Sequence, residues 1–170
     1  VRNLRAESPR VTQPSIYTNP YLETSAWIAL IKGEIVQGVD RGQIIQRILD
    51  DASRGRWSIL TSTFTLVEVL KDRNQPILTE GQERKIDAFF QHEYIKLVTL
   101  DRIVAEHARK LARTHNLRPA DAVHLASAIR AKADQVLTWD GDFPIDTTVE
   151  GVQIKHPYWL GQLTMPIKNP

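Results

Sequence analysis

The stretch Arg118-Pro119-Ala120-Asp121-Ala122-Val123-His124-Leu125-Ala126-Ser127-Ala128, followed by Gln135-Val136-Leu137-Thr138-Trp139-Asp140-Gly141-Asp142-Phe143, sets the expected fold. Pro119 suits the first helical position, where an N–H would lack a partner anyway. The apolar residues that follow predict a helix over residues 120–133. The short apolar run at 135–138 predicts a strand, and Asp140, Gly141 and Asp142 make a conventional turn after it. A helix leading into a short buried strand is the unit of an α/β domain with a largely parallel sheet.

The same alternation extends outward in both directions. Strands are expected at 21–23, 57–62, 95–100, 135–138 and 152–155, and helices at 27–31, 38–53, 65–71, 80–91, 102–114 and 120–133. Thr79 with Gln82 three residues later reads as a capping box, and Asp101 as the cap of the helix that follows it. Residues 1–19 hold Pro9, Pro14 and three arginines with little apolar content, which predicts an extended arm. Residues 20–156 form the expected domain. Residues 157–170, with Pro157, Pro166 and Pro170 around Trp159 and Leu160, read as an irregular tail.

Composition narrows the chemistry. At 170 residues, 42% hydrophobic and 25% charged, the chain supports one domain with a full core. No apolar run approaches the roughly 20 residues that cross a bilayer, and no apolar segment with a cleavage site follows the basic start, so a cytoplasmic location is expected. The absence of cysteine excludes disulfides, thiolate zinc sites and cysteine nucleophiles, leaving carboxylates and five histidines as metal ligands. A formal charge of +2 neither announces nor opposes a nucleic-acid partner.

Binding sites of parallel sheets lie beyond the carboxyl ends of the strands, so acids at those ends come first. Glu23 ends the first strand, followed by Thr24 and Ser25, whose hydroxyls suit a helix cap; it is also a plain helix-start carboxylate. Asp140 ends the fourth strand with Asp142 close behind, in what is equally a plain turn. Glu68 lies within Phe64-Thr65-Leu66-Val67-Glu68-Val69-Leu70, where apolar flanks predict burial, and a buried carboxylate needs a partner or a metal. Asp121 sits in a first helical turn, where the helix dipole alone favours an anion. Taken together, these hard oxygen donors suit Mg2+ or Mn2+ rather than zinc. Such a metal acidifies water and neutralises charge on a phosphodiester.

In order and spacing, Tyr21-Leu22-Glu23-Thr24-Ser25, Glu68 within Thr65-Leu66-Val67-Glu68-Val69, Ala120-Asp121-Ala122-Val123-His124-Leu125-Ala126-Ser127-Ala128 and Leu137-Thr138-Trp139-Asp140-Gly141-Asp142-Phe143 resemble the PIN domain. The resemblance is greatest to its small prokaryotic members, the VapC-type toxins of toxin-antitoxin pairs, and covers roughly residues 20–156. It implies a parallel sheet of about five strands flanked by helices in three α/β/α layers. It also implies an Mg2+- or Mn2+-dependent endoribonuclease site, a homodimer and a small cognate antitoxin. Carried over by position, Glu23, Glu68, Asp121 and Asp140 are the catalytic acids, with Glu23, Asp121 and Asp140 as metal ligands and Ser25 and Asp142 as auxiliary groups. His124 falls on the face of Asp121 and suits a packing or supporting role better than ligation, because no second histidine has a ligand spacing.

Glu23 departs from the family, which usually has aspartate there. One methylene shifts a carboxylate by more than about 1 Å, and a misplacement of that size can cost on the order of a hundredfold in rate. Two rival functions therefore accompany the nuclease. One is a catalytically impaired PIN-like module that binds RNA or protein. The other is an aspartyl-phosphate phosphatase or receiver-like protein, which Glu23 fits badly because that chemistry uses an aspartate nucleophile after the first strand. For phosphate contacts the candidates are Arg102, Arg109 and Arg113, on one face of the helix whose other face carries Val104, Ala108 and Leu111, together with Arg118. An ordinary solvated face explains the same stripe. Trp139, beside Asp140, is the candidate for stacking on a base.

Overall fold

The computed structural model describes residues 19–69 and 79–158. The expected arm up to residue 18, the tail from residue 159, the end of the helix expected at 65–71 and the Gln82 side chain of the expected capping box lie outside the described residues. Strand β1 (Pro20–Leu22) leads into helix α1 (Thr24–Lys32), a two-stranded hairpin β2 (Ile35–Val36) and β3 (Val39–Asp40), and helix α2 (Arg41–Ser53). Next come β4 (Ile59–Ser62), α3 (Thr63–Glu68), α4 (Glu80–Phe90), β5 (Ile95–Val98) and α5 (Arg102–Thr114). The chain then forms α6 (Pro119–Arg130), β6 (Gln135–Leu137), β7 (Thr147–Val149) and β8 (Val152–Lys155). None of the described helices is long and apolar enough to cross a membrane.

The main sheet has the order β5-β4-β1-β6-β8-β7, parallel except for the last pair. Its strands alternate cleanly between two cores, because successive side chains point to opposite faces. Tyr21, Leu60, Val136 and Ile154 join Val104, Leu111 and Leu125 of α5 and α6 on one face. Leu22, Ile59 and Leu137 join Trp27, Ile45, Ile48 and Phe90 of α1, α2 and α4 on the other. The result is three α/β/α layers. The strand order reverses at β1, with β4 on one side and β6 on the other, which opens a crevice at their carboxyl ends.

All five expected strands form, but the sheet holds a sixth, β7, and a separate hairpin, β2–β3. Both additions depend on tight turns. Gln37 and Gly38 have φ of 50° and 78°, and Glu150 and Gly151 have 46° and 88°. Positive φ at both central residues lets a two-residue loop match the twist of its strands. Helix α2 consequently starts at Arg41, not at residue 38, and Asp40 caps it by accepting from the Gln43 N–H at 2.8 Å. Asp101 does cap α5, accepting from the Val104 N–H at 2.9 Å. Helices α1 and α2 approach closely at Gly42, where a Cβ would stand 2.9 Å from the Ala29 carbonyl oxygen.

Candidate functional site

Neighbouring parallel strands bring the first and last acids to one edge. Leu22 of β1 pairs with Leu137 of β6, so the residues after each emerge side by side. Glu23 itself is the N-cap of α1, where hydroxyls of Thr24 or Ser25 were expected to serve. Its Oε2 accepts from the Ser25 N–H at 2.9 Å, the Ser25 hydroxyl at 2.5 Å and the Thr138 hydroxyl at 2.8 Å. The longer glutamate side chain is thus folded back and pinned by three donors. Thr138 also accepts from the Asp140 N–H at 2.9 Å, which ties the two acids through one buried hydroxyl.

Asp140, Asp142 and Asp121 converge on Arg118. Its Nε and Nη2 donate to the Asp121 carboxylate at 2.9 and 3.3 Å, Nη2 also to Asp140 Oδ2 at 2.5 Å, and Nη1 lies 2.8 Å from Asp142 Oδ2. Asp140 Oδ1 accepts from the Asp142 N–H at 2.9 Å, which fixes the turn. Arg118 precedes Pro119 and caps α6 without a side-chain cap bond, its backbone extended at φ −61° and ψ 149°. Proline restricts the preceding residue to that region, so the arginine is aimed across the acids by local sequence.

Glu68 closes the group from the end of α3. The expected burial of this helix holds only in part, since Val67 is 63% exposed. Glu68 Oε2 accepts from the Thr24 hydroxyl at 2.5 Å and from His124 Nε2 at 2.7 Å. Burial pushes the Glu68 pKa up, but hydrogen bonds from His124 and Thr24 and the positive charge of Arg118 outweigh it, leaving the carboxyl below its usual range. An ionised oxygen this close to Nε2 requires the proton to sit on Nε2. The other ring nitrogen, Nδ1, lies 2.8 Å from the Tyr21 hydroxyl, whose pKa burial and then the Glu23 charge raise well above 10. With the proton on Nε2, Nδ1 accepts from the Tyr21 hydroxyl, so His124 links Tyr21 to Glu68.

Asp121 is 4% exposed. Burial raises its pKa despite the hydrogen bond and charge of Arg118, and the Asp140 charge adds to the rise. Arg118 is held firmly charged, first by its hydrogen bond to Asp121, then by Asp140. Ligand atoms of Glu23, Glu68 and His124 lie within 4.8 Å of one another. The carboxylates of Asp121, Asp140 and Asp142 already surround a cation, the Arg118 guanidinium, and their hard oxygens fit a divalent ion.

The other expected contacts lie elsewhere. Arg102 pairs with Glu106 on its own helix at 2.7 Å, and Arg102, Arg109 and Arg113 are exposed. Among the described residues, none of the three bonds to these acids. Trp139 stacks on His156, with ring centroids 5.7 Å apart, and lies under Arg41, whose Cζ is 4.9 Å from the ring centre. The indole is therefore engaged within the protein at the position expected to stack on a base.

A model of the PIN domain family matches residues 21–145, most of the chain. The chain belongs to the PIN domain family. This PIN domain is similar in fold to a toxin-antitoxin complex from Klebsiella pneumoniae, at TM-score 0.58 and 20% identity over 82% of this chain and 98% of that one. It is similar to VapC20 of Mycobacterium tuberculosis, a sarcin-ricin loop cleaving toxin, at TM-score 0.56 and 20% identity over 77% and 97% of the two chains. A third likeness, at TM-score 0.55 and 15% identity over 82% and 98%, is to VapBC2 of Rickettsia felis bound to a promoter DNA fragment. At these identities the likeness is one of fold. No curated protein matches this chain in sequence.

Two polar residues of the PIN domain site, Thr138 and Tyr21, carry no assignment from sequence, and Thr24, expected as a helix cap, instead donates to Glu68. Each acts across strands or helices on a carboxylate or on His124, so its role depends on the strand order and carries no local spacing signal. Only the position of Thr138, one residue beyond the strand that precedes Asp140, marked it as a residue of this edge.

Proposed function

We propose that this PIN domain is a divalent-metal-dependent endoribonuclease that hydrolyses RNA phosphodiester bonds, and is the toxin of a type II toxin-antitoxin pair. The observation that carries this reading is the set of four carboxylates from four separate elements in two groups tied through Thr138: Asp121 and Asp140 on Arg118, and Glu23 and Glu68 beside His124. The similar folds of a sarcin-ricin loop cleaving toxin and of two toxin-antitoxin assemblies support it. Glu23, Asp121 and Asp140 hold the ion, Mg2+ or Mn2+, with Asp142 and Ser25 as auxiliary groups. When bound, the ion acidifies water and neutralises charge on the phosphate and leaving oxygen.

The remaining work belongs to the chain's own side chains. Thr138 keeps Glu23 and Asp140 in a fixed mutual orientation. Ser25 adds a second hydroxyl to Glu23. His124 and Thr24 both hold Oε2 of Glu68, which fixes the orientation of this carboxylate. The exposed arginines of α5, Arg102, Arg109 and Arg113, supply phosphate contacts, which dominate nucleic-acid affinity. In this reading the protein works in the cytoplasm as a homodimer restrained by a small cognate antitoxin.

The test is incubation with total cellular RNA, with and without Mg2+ or Mn2+, followed by mapping of new 5′ ends. Discrete cleavage that stops with chelator and with Asp121→Asn is the expected result. Cleavage that survives both removes the mechanism.

A further inference from the structure

Arg118 differs from every other arginine whose contacts are described. All three of its guanidinium nitrogens are engaged, and all of them on carboxylates of the candidate metal centre, Asp121, Asp140 and Asp142. Two of those acids are the ones proposed to hold the ion. A divalent cation and the guanidinium therefore draw on the same oxygens. Planar, forked donors suit carboxylates especially well, so this is a strong competitor for the site.

We propose that Arg118 is the resident counterion of the centre, displaced from Asp121 and Asp140 when a divalent cation binds and turned outward toward the RNA phosphate. The inference rests on the proposed function and adds a coupling to it. Three features make the exchange feasible. Without a cation, the guanidinium offsets the repulsion among acids held together by the fold, so the site stays assembled. The Arg118 side chain is 53% exposed, so it has water to move into. Pro119 fixes its backbone, so displacement is a rotation of the side chain alone.

The coupling runs both ways, as linked equilibria must. Cation binding frees a guanidinium beside the acids, which raises affinity for a phosphate. A phosphate that captures Arg118 opens the carboxylates to the cation. Metal and RNA should then bind cooperatively, with Arg118 as the element that both of them bias.

The experiment is calorimetric titration of Mn2+ into the wild type, Arg118→Met, Arg118→Lys and Arg130→Met, with thermal melting of each. Arg130 lies at the far end of α6, about 18 Å along the helix at 1.5 Å per residue, so its loss removes the same charge without freeing the acids. Arg118→Met should bind Mn2+ at least about tenfold more tightly than wild type, the equivalent of one charge-assisted hydrogen bond no longer broken on entry. Arg118→Lys should fall between them, and Arg130→Met should match wild type. Arg118→Met should also melt lower without metal and gain more from Mn2+ than wild type does. Should that variant prove too unstable to titrate, the lysine variant, which keeps the charge but not the fork, still shows tighter binding.

Equal or weaker Mn2+ binding by Arg118→Met and Arg118→Lys overturns the inference, as does an equal gain in Arg130→Met. The proposed function is tested apart from it by Asp121→Asn, which should abolish Mn2+ binding in the wild-type background. Wild-type binding that depends on Asp121 but ignores Arg118 defeats only the exchange. No binding by any form defeats both.

Discussion

Replacing Tyr21 by phenylalanine tests whether the buried relay to Glu68 is an ordered chain of hydrogen bonds. Tyr21 is fully buried and His124 is 1% exposed. The phenol meets His124 Nδ1 at 2.8 Å, and Nε2 donates to Glu68 at 2.7 Å. Phenylalanine keeps the ring and its packing in the α5–α6 core, so almost no cavity forms. What it removes is the partner of a buried ring nitrogen. An unsatisfied buried acceptor costs about 1–3 kcal/mol, which in a protein of this length corresponds to about 2–4 °C in Tm per kcal/mol. Equilibrium urea unfolding of wild type and variant measures it, with the slope of the transition expected to stay unchanged. A double-mutant cycle with His124→Gln should return a coupling of about 0.5–3 kcal/mol. A change below about 0.5 kcal/mol in Tyr21→Phe, or additive effects in the cycle, would refute the relay.

Two further substitutions address the frame around it. Thr138→Val is close to isosteric but removes the donor to Glu23 and the acceptor of the Asp140 N–H. Mn2+ affinity by calorimetry should fall about 10- to 100-fold, the usual effect of losing a group that orients metal ligands; unchanged affinity would show that the two acids orient themselves. Gly42→Ala places a methyl group 2.9 Å from the Ala29 carbonyl oxygen. It should cost about 1–3 kcal/mol in urea unfolding, as overpacking does, and a neutral result would mean that α1 and α2 separate easily.

Hydrophobic periodicity carried most of the fold. The helix expected at 102–114 and the strand at 152–155 formed at those bounds, because a burial stripe and a cap or turn coincide at their ends. The strand expected at 57–62 begins two residues later, since Trp57 turns its indole to the Ile48 carbonyl at 3.2 Å instead of extending the sheet. Both missed hairpins turn on Gln-Gly and Glu-Gly, where the familiar sequence cue is Asn-Gly or Asp-Gly. That Glu23 and Asp140 follow strands and Asp121 opens a helix was legible because strand ends and helix starts are local features, whereas Glu68, marked by its apolar flanks, stands at the end of α3. Their partners were not. Arg118 was expected to face RNA, yet the fold aims it at three carboxylates, and that follows only once β6 lies beside β1 and α6 beside both. Glu23 reads in sequence as a misplaced ligand, and in the structure as a cap held by three donors.

In the proposed site one divalent cation sits among the carboxylates at the ends of β1 and β6 and the start of α6. Anomalous diffraction from crystals grown with Mn2+ tests it most directly. A peak bounded by oxygens of Glu23, Asp121 and Asp140, at metal–oxygen distances of about 2.1 Å, is expected, and it should be absent from crystals of Asp121→Asn. A peak confined to another part of the surface, or one that persists unchanged in Asp121→Asn, would contradict it.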